Sequence, residues 1–460
     1  MKKLFFTIKT NPHYFLLALN LLVFCFVLFY KLQLPSGTCT DEHYYVTAAR
    51  EIITTPDESN ILNHPPLGKY LIGLGIRSIG DYPLGWRVMP VVFGILGIII
   101  TFLLTKEITQ KISCKKSKTK NQLFNFIPLL TIFILSFDFL YFAMSRLAML
   151  DIFALVFTLC IIFFIWKYFQ NQHKKYIIFI GIFFGLAMAT KWFACLLLPL
   201  FLFLAVGSEK TTPPEKQEKN RIKKLLLENK SFIYNLITIF TIAIVIYLIA
   251  YLPHIAKHGI KETLLLNKEI FSRMSRINDY KAAKVHPLSA FIWTFAPTAT
   301  LSCFVKNLPK TGNIFLISNP FILWVFWPTI IYNTIQAFRK KEISRFFVVS
   351  TIIMLYIPWI VIDRVKYFFY MLPVMPFLSM LIAWTIHDIF TKVTSNIEGK
   401  ISISTLSKIT RKNKILLLLV ICYLLLVILA FVLYYPLLNA IPMTDGYRKA
   451  VTFFWPFLIE

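Results

Sequence analysis

Apolar runs long enough to cross a membrane alternate with short polar stretches along almost the whole chain. A span needs about 20 mostly apolar residues, and eleven runs qualify or come close: residues 13–32, 86–105, 123–142, 147–168, 176–190, 192–207, 231–252, 314–335, 346–362, 366–388 and 414–436. The pattern predicts an all-α polytopic membrane protein of about 11 transmembrane helices, with residues 1–460 as one integral-membrane domain. The first run follows Lys2 and Lys3 as the core of a signal peptide would, but it is long and no small-residue cleavage site stands after it, so it reads as a retained anchor. Two polar segments exceed an ordinary connection, 33–85 and 253–313. In the first, helical spacing puts Tyr45, Ala48, Ala49, Ile52 and Ile53 on one stripe of a helix over 41–53. Pro66 suits the start of a second helix reaching Ile79. Both are expected to be amphipathic and to lie along the membrane surface.

Composition supports this class: 57% of the 460 residues are hydrophobic, and the mean hydropathy is +0.66. These values lie well above those of a soluble domain. The 49 Lys and Arg against 22 Asp and Glu give a net charge of +27. The charges fall in short clusters between apolar runs rather than on one patterned surface, which argues against nucleic acid as a partner. Short loops rich in Lys and Arg face the cytoplasm. The stretches 106–122 and 208–230, Arg339-Lys340-Lys341 and the basic residues from Lys392 to Lys414 all obey that rule with eleven spans, a cytoplasmic N-terminus and an outer C-terminus. Residues 33–85 and 253–313 then face outward from the plasma membrane. Seven scattered cysteines form no CxxC and read mostly as small buried hydrophobes. A Cys39–Cys303 bridge is one pairing that two outer loops allow.

The adjacent carboxylates Asp41 and Glu42 stand at the start of the first outer helix. Transfer of a group onto a hydroxyl needs a base to take its proton, and this pair supplies one with a neighbour. The competing reading is a helix start, with Thr40 or Asp41 as the cap and Glu42 in the first turn. Basic residues at outer span ends, Arg146, Lys191, Arg364 and Lys366, suit an anionic phosphate at the interface, although snorkelling to lipid headgroups would also place them there. Asp151 stands five positions after Arg146 as a candidate partner. His64, in the run His64-Pro65-Pro66-Leu67-Gly68-Lys69, and His286 each precede proline. Neither has a second histidine at metal-ligand spacing, so no metal site is expected; Glu42, His43 and His64 form only a weak zinc alternative.

The stretches DEHYYVTAAREI, NHPPLGKYLIGLG and GWRVMPVVFG, then SRLAMLDIFALVF and GLAMATKWF, and finally VHPLSAFIWTF, ISNPFILW and DRVKYFFYMLPVMPFL occur in one order over residues 41 to about 380. With them the chain resembles the protein O-mannosyltransferase family, the polyprenyl- or dolichyl-phosphate-mannose-dependent enzymes of the C superfamily of glycosyltransferases, in their short bacterial form. The resemblance implies a helical membrane fold, a polyprenyl-phosphate sugar as donor with no further cofactor, and a protein Ser or Thr hydroxyl as acceptor. It implies Asp41 nearest the acceptor with Glu42 beside it and Arg146 near the donor phosphate; His64, Lys69, Asp151 and His286 are read as further site residues. Membrane lipids and a translocon are the other partners it brings. Transfer of an aminosugar from undecaprenyl phosphate to lipid A is the alternative enzyme reading. A transporter of lipid-linked substrates would show paired broken helices or an inverted repeat, and neither is visible.

Overall fold

A computed structural model describes residues 12–54, 63–113, 126–208, 230–275, 289–295, 300–307, 310–394 and 410–452. The helices in chain order are α1 (Pro12–Phe29), α2 (Asp41–Thr54), α3 (Leu67–Ile79), α4 (Pro83–Ser113), α5 (Phe126–Ser136), α6 (Phe139–Met144), α7 (Leu150–Asn171) and α8 (Lys175–Met188). A 3₁₀ helix (Trp192–Phe201) continues into α9 (Leu202–Ser208), followed by α10 (Lys230–Ala250), α11 (Leu252–Ser275) and α12 (Ser289–Ile292). A hairpin of β1 (Thr300–Asn307) and β2 (Lys310–Leu316) precedes α13 (Pro320–Leu323), α14 (Phe326–Lys340) and α15 (Ile343–Val361). A second 3₁₀ helix (Phe368–Val374) leads into α16 (Met375–Thr394), and α17 (Arg411–Tyr434), a 3₁₀ turn (Tyr435–Leu438) and α18 (Asp445–Thr452) close the described chain.

Each of the eleven apolar runs contains a helix. Among the described residues seven are long and apolar enough to cross a membrane, and four shorter apolar helices, within Tyr14–Phe29, Phe126–Ser136, Lys175–Met188 and Trp192–Ala205, fall in the other runs. α7 lies at the centre of the bundle, between α4 and α8, and most of its residues are buried. α10 and α17 are mostly exposed, which suits helices that face lipid. Glycines permit the closest approaches. A Cβ on Gly68 would stand 2.6 Å from Leu150 Cδ2, so α3 presses on the start of α7, and a Cβ on Gly94 in α4 would strike Ser145.

The structure departs from the sequence pattern in three places. The run 123–142 is broken, because Asp138 leaves the helix and its carboxylate accepts from Tyr141 N at 2.8 Å to start α6. Ser318 Oγ and Asn319 N donate to the same carboxylate, and that binds this break to the chain entering α13. The run 314–335 begins in β2, not in a helix. β1 and β2 pair antiparallel with a bulge between Leu301 and Cys303, a small exception to the all-α expectation. The long loop 253–313 also holds a 24-residue helix, α11, kinked at Gly259 where φ is +81°. The first-loop helices fall where expected, with Tyr45, Ala48 and Ala49 of α2 buried. Cys39 is disulfide-bonded, and Cys25, Cys160, Cys195 and Cys422 are free. The side chain of Cys303 lies outside the described ones, as do residues 114–125, 209–229 and 395–409, which hold most of the lysine clusters that orient the chain.

Candidate active site

The two adjacent carboxylates have different surroundings. Glu42 is completely buried. Its Oε1 accepts from Arg87 Nε and Ala148 N, each at 2.9 Å. Its Oε2 accepts from Arg87 Nη2 at 2.8 Å and Cys39 N at 2.9 Å. Arg87, itself 1% exposed, spends its remaining donors on the carbonyls of Leu32, Pro35 and Gly37. A carboxylate that accepts four charge-assisted or backbone bonds is a structural clasp between α2, α4 and the segment before α7, with no lone pair aimed at a substrate. A partner base or a zinc ligand at Glu42 would need one of these oxygens free, and here both are engaged by protein donors.

Asp41, the first residue of α2, is half-buried. Among the described residues no hydrogen bond or ion pair engages its carboxylate, so it caps none of the amides of the turn that follows. Burial raises its pKa above the usual carboxylate value; the charge of Lys191 opposes that shift and the charge of Asp151 adds to it. A carboxylate of this kind is a stronger base than a solvated one.

Lys191 follows α8 in extended backbone, and its Nζ lies 2.8 Å and 2.9 Å from the two oxygens of Asp151 in the first turn of α7. A helix N-terminus favours a carboxylate there. Both residues are buried, and the ammonium also faces the rings of Phe369 and Tyr370 at 5.6 Å and 5.5 Å. His64 approaches from the loop before α3 with φ +75°, a left-handed conformation that non-glycine residues hold only where the surroundings enforce it. Lys69 Nζ donates to the His64 carbonyl at 2.9 Å, and Leu67 N donates to Ala189 O at 3.0 Å. Burial, then the charges of Lys191, Lys69 and Arg364, hold the His64 imidazole well below its usual pKa, so it is neutral at pH 7.

A cavity of about 340 Å³ is lined by His64, Asp151, Lys191, Arg364, Tyr370 and Asp363 on its polar side, and by Trp192, Phe193, Leu196, Phe271, Met274 and Trp359 among others on its apolar side. Arg364, in the loop after α15, donates one hydrogen bond, to the Tyr370 hydroxyl at 3.3 Å. Its Nε is buried with no partner. A half-buried guanidinium with a buried, open Nε donor on a cavity wall is suited to an anion, because an unpaired buried donor is costly unless a ligand completes it. Lys191, by contrast, is already neutralised by Asp151.

Other expected residues lie elsewhere. Arg146 is buried away from the cavity, and its guanidinium donates to the carbonyls of Val27, Leu28, Tyr30 and Lys31. These carbonyls belong to the last turn of α1 and the residues just beyond it, so Arg146 satisfies acceptors at that helix end. Lys69 is buried beneath the His64 loop, and burial brings its pKa down to about 7. Lys366 is buried and does not line the cavity. His286 lies outside the described residues. Arg87 and Tyr370 were not singled out in the sequence, although both stand inside quoted motifs.

Three comparisons bear on this geometry. Residues 118–219 match the model of the family described as dolichyl-phosphate-mannose-protein mannosyltransferase. The chain is 23% identical over 478 residues to the polyprenol-phosphate-mannose–protein mannosyltransferase of Mycolicibacterium smegmatis, covering 88% of this chain and 84% of that one. It is 22% identical to the protein of that name in Corynebacterium glutamicum, covering 91% and 88%. Among solved structures, the S. cerevisiae protein O-mannosyltransferase Pmt1-Pmt2 complex bound to the sugar donor superposes with a TM-score of 0.65 at 11% identity, over 96% of this chain and 92% of that one. The Archaeoglobus fulgidus oligosaccharyltransferase AglB, in complex with an inhibitory peptide and a dolichol-phosphate, gives 0.54 at 13% identity over 97% and 58%. The polytopic helical fold is therefore shared with these membrane glycosyltransferases.

Proposed function

We propose that this chain, a glycosyltransferase of the protein O-mannosyltransferase family, moves mannose from a polyprenyl-phosphate donor to a Ser or Thr hydroxyl of a protein on the outer face of the membrane. The observation that carries this reading is an unengaged Asp41 carboxylate that feels the charges of Lys191 and Asp151, two residues of a cavity wall they share with the half-buried, half-satisfied guanidinium of Arg364. Donor and acceptor chemistry needs those two groups. The acceptor oxygen attacks the anomeric carbon while Asp41 takes its proton; the bond from that carbon to the phosphate oxygen breaks, and the sugar inverts. The polyprenyl phosphate leaves with one more negative charge than it carried as a diester. Arg364 meets that charge as it develops, with the Lys191 ammonium beside it. The apolar wall of Trp192, Phe271 and Met274 suits the first units of the isoprenoid chain.

Helix direction supports this orientation. α4 runs from Arg87 beside Glu42 to Lys106, α7 from Asp151 to Lys167, and α15 from the turn Arg339-Lys340-Lys341 to the loop of Arg364. A helix rises about 1.5 Å per residue, so each of these basic ends stands at the opposite end of its helix from the cavity. Lysines gathered at that end favour it as the cytoplasmic one, with the site outside.

The test is transfer itself. Purified protein in detergent is incubated with polyprenyl-phosphate [³H]mannose and membrane proteins, and the lipid is then extracted. Label is expected in protein and is expected to be released by β-elimination, as an O-linkage to Ser or Thr requires. Label confined to a glycolipid fraction would overturn the acceptor, and no transfer by wild type from this donor would overturn the reaction.

A further inference from the structure

We propose that Tyr370 is the positioning residue that sets the two cations of the cavity relative to each other, so that donor phosphate binding depends on its hydroxyl. The inference rests on the function proposed above and extends it to a residue that does not itself react. Lys191 arrives from the end of α8 and Arg364 from the loop after α15, and no hydrogen bond joins them. Tyr370, on the 3₁₀ helix Phe368–Val374, touches both. Its ring face lies 5.5 Å from the Lys191 ammonium and 5.8 Å from the Arg364 guanidinium carbon, and its hydroxyl accepts from Arg364 Nη2 at 3.3 Å. The ring is held in turn by Trp359 of α15, with centroids 4.5 Å apart and planes 30° from parallel.

This arrangement divides the work of one side chain. The ring face attracts both cations through its quadrupole, and a phenylalanine would preserve that. The hydroxyl alone fixes the rotation of the guanidinium, and with it the direction in which the unpartnered Nε points. A bond to a charged donor is worth more than a neutral one, so its loss frees Arg364 to turn and weakens the hold on a phosphate oxygen before the chemical step.

The test compares Tyr370→Phe with Tyr370→Leu in the full-length protein, measuring detergent melting and steady-state transfer from polyprenyl-phosphate mannose. Tyr370→Phe should raise the donor KM by about 10-fold with kcat within about 3-fold of wild type and unchanged melting. Tyr370→Leu should raise KM further and lower kcat, because both cations lose the Tyr370 ring and Lys191 keeps only that of Phe369. In an Arg364→Ala background Tyr370→Phe should cost nothing more, since the group it orients is gone. An unchanged donor KM in Tyr370→Phe, or an equal penalty with and without Arg364, overturns the inference. If Arg364→Ala itself transfers normally, the fault lies with the proposed phosphate site and not with Tyr370 alone.

Discussion

Replacing Glu42 by Gln should unfold the protein before it slows the chemistry. The side chain is completely buried and holds Arg87 through two bonds of 2.9 Å and 2.8 Å while accepting the amides of Cys39 and Ala148. Removing one partner of a buried pair leaves the other charge uncompensated and costs about 3–5 kcal/mol. The ion pair between Arg50 and Asp81 is a control in the same loop region: it is equally short at 2.9 Å, but its side chains are 40% and 50% exposed. Exposed pairs are worth about 0–1 kcal/mol, so Arg50→Ala should barely move the melting point. The paired replacement Glu42→Met with Arg87→Met should be more stable than either single change, because no lone charge is left inside. Thermal unfolding in detergent reads stability, and turnover normalised to folded protein reads chemistry. Glu42→Gln is expected to melt far below wild type, while its folded fraction keeps turnover within about 10-fold, against the roughly 100- to 10,000-fold loss expected for removing a general base. A Glu42→Gln protein with wild-type melting and abolished transfer would refute the clasp and restore Glu42 as a catalytic group.

For Asp41, Asn removes the base and should abolish most transfer. Its folded pKa is raised above 3.8, so the folded state binds that proton more tightly than the unfolded chain and ionisation costs stability as pH rises through the raised value. Asp41→Asn should therefore melt at or above wild type at pH 7, and wild-type kcat/KM should fall on acidification at a pH above the ordinary carboxylate value; a destabilised Asn variant would contradict this. Arg364→Ala should raise the donor KM at least 10-fold with little change in melting, whereas Arg146→Ala should lower the melting point through the freed carbonyls of α1 and leave the donor KM of folded protein nearly unchanged; the reverse pattern would return the phosphate to Arg146. A cysteine placed at Ser59 should react with an impermeant thiol reagent in intact cells and one at Ser117 should not, and labelling of Ser117 alone would invert the orientation.

Much of this protein is legible from local chemistry. A run of about 20 apolar residues can satisfy its backbone in lipid only as a helix, so the eleven runs forecast the helices without any knowledge of packing. The helix over Asp41–Thr54 and its buried stripe likewise followed from 3.6-residue spacing, which depends only on near neighbours. The order of motifs, similar to that of the mannosyltransferase family, pointed to Asp41, His64, Asp151, Lys191 and Arg364, the last four of which line one cavity. What adjacency in the chain could not decide is which neighbour faces what. Asp41 and Glu42 are consecutive, so on a helix they point about 100° apart; Glu42 meets Arg87 from 45 residues away, while Asp41 lies within reach of the charges of Lys191 and Asp151. Arg146 and Arg364 are equal as basic residues at span ends. Only the carbonyls of α1, more than 100 residues distant, distinguish the arginine that closes a helix from the one left with an open donor. The β1–β2 hairpin escaped notice because its strands are short and their pairing rests on hydrogen bonds between segments, which hydropathy does not record. Burial and hydrogen-bond partners are properties of contacts between distant segments, and for charged side chains those contacts settle whether a group is structural or free to act.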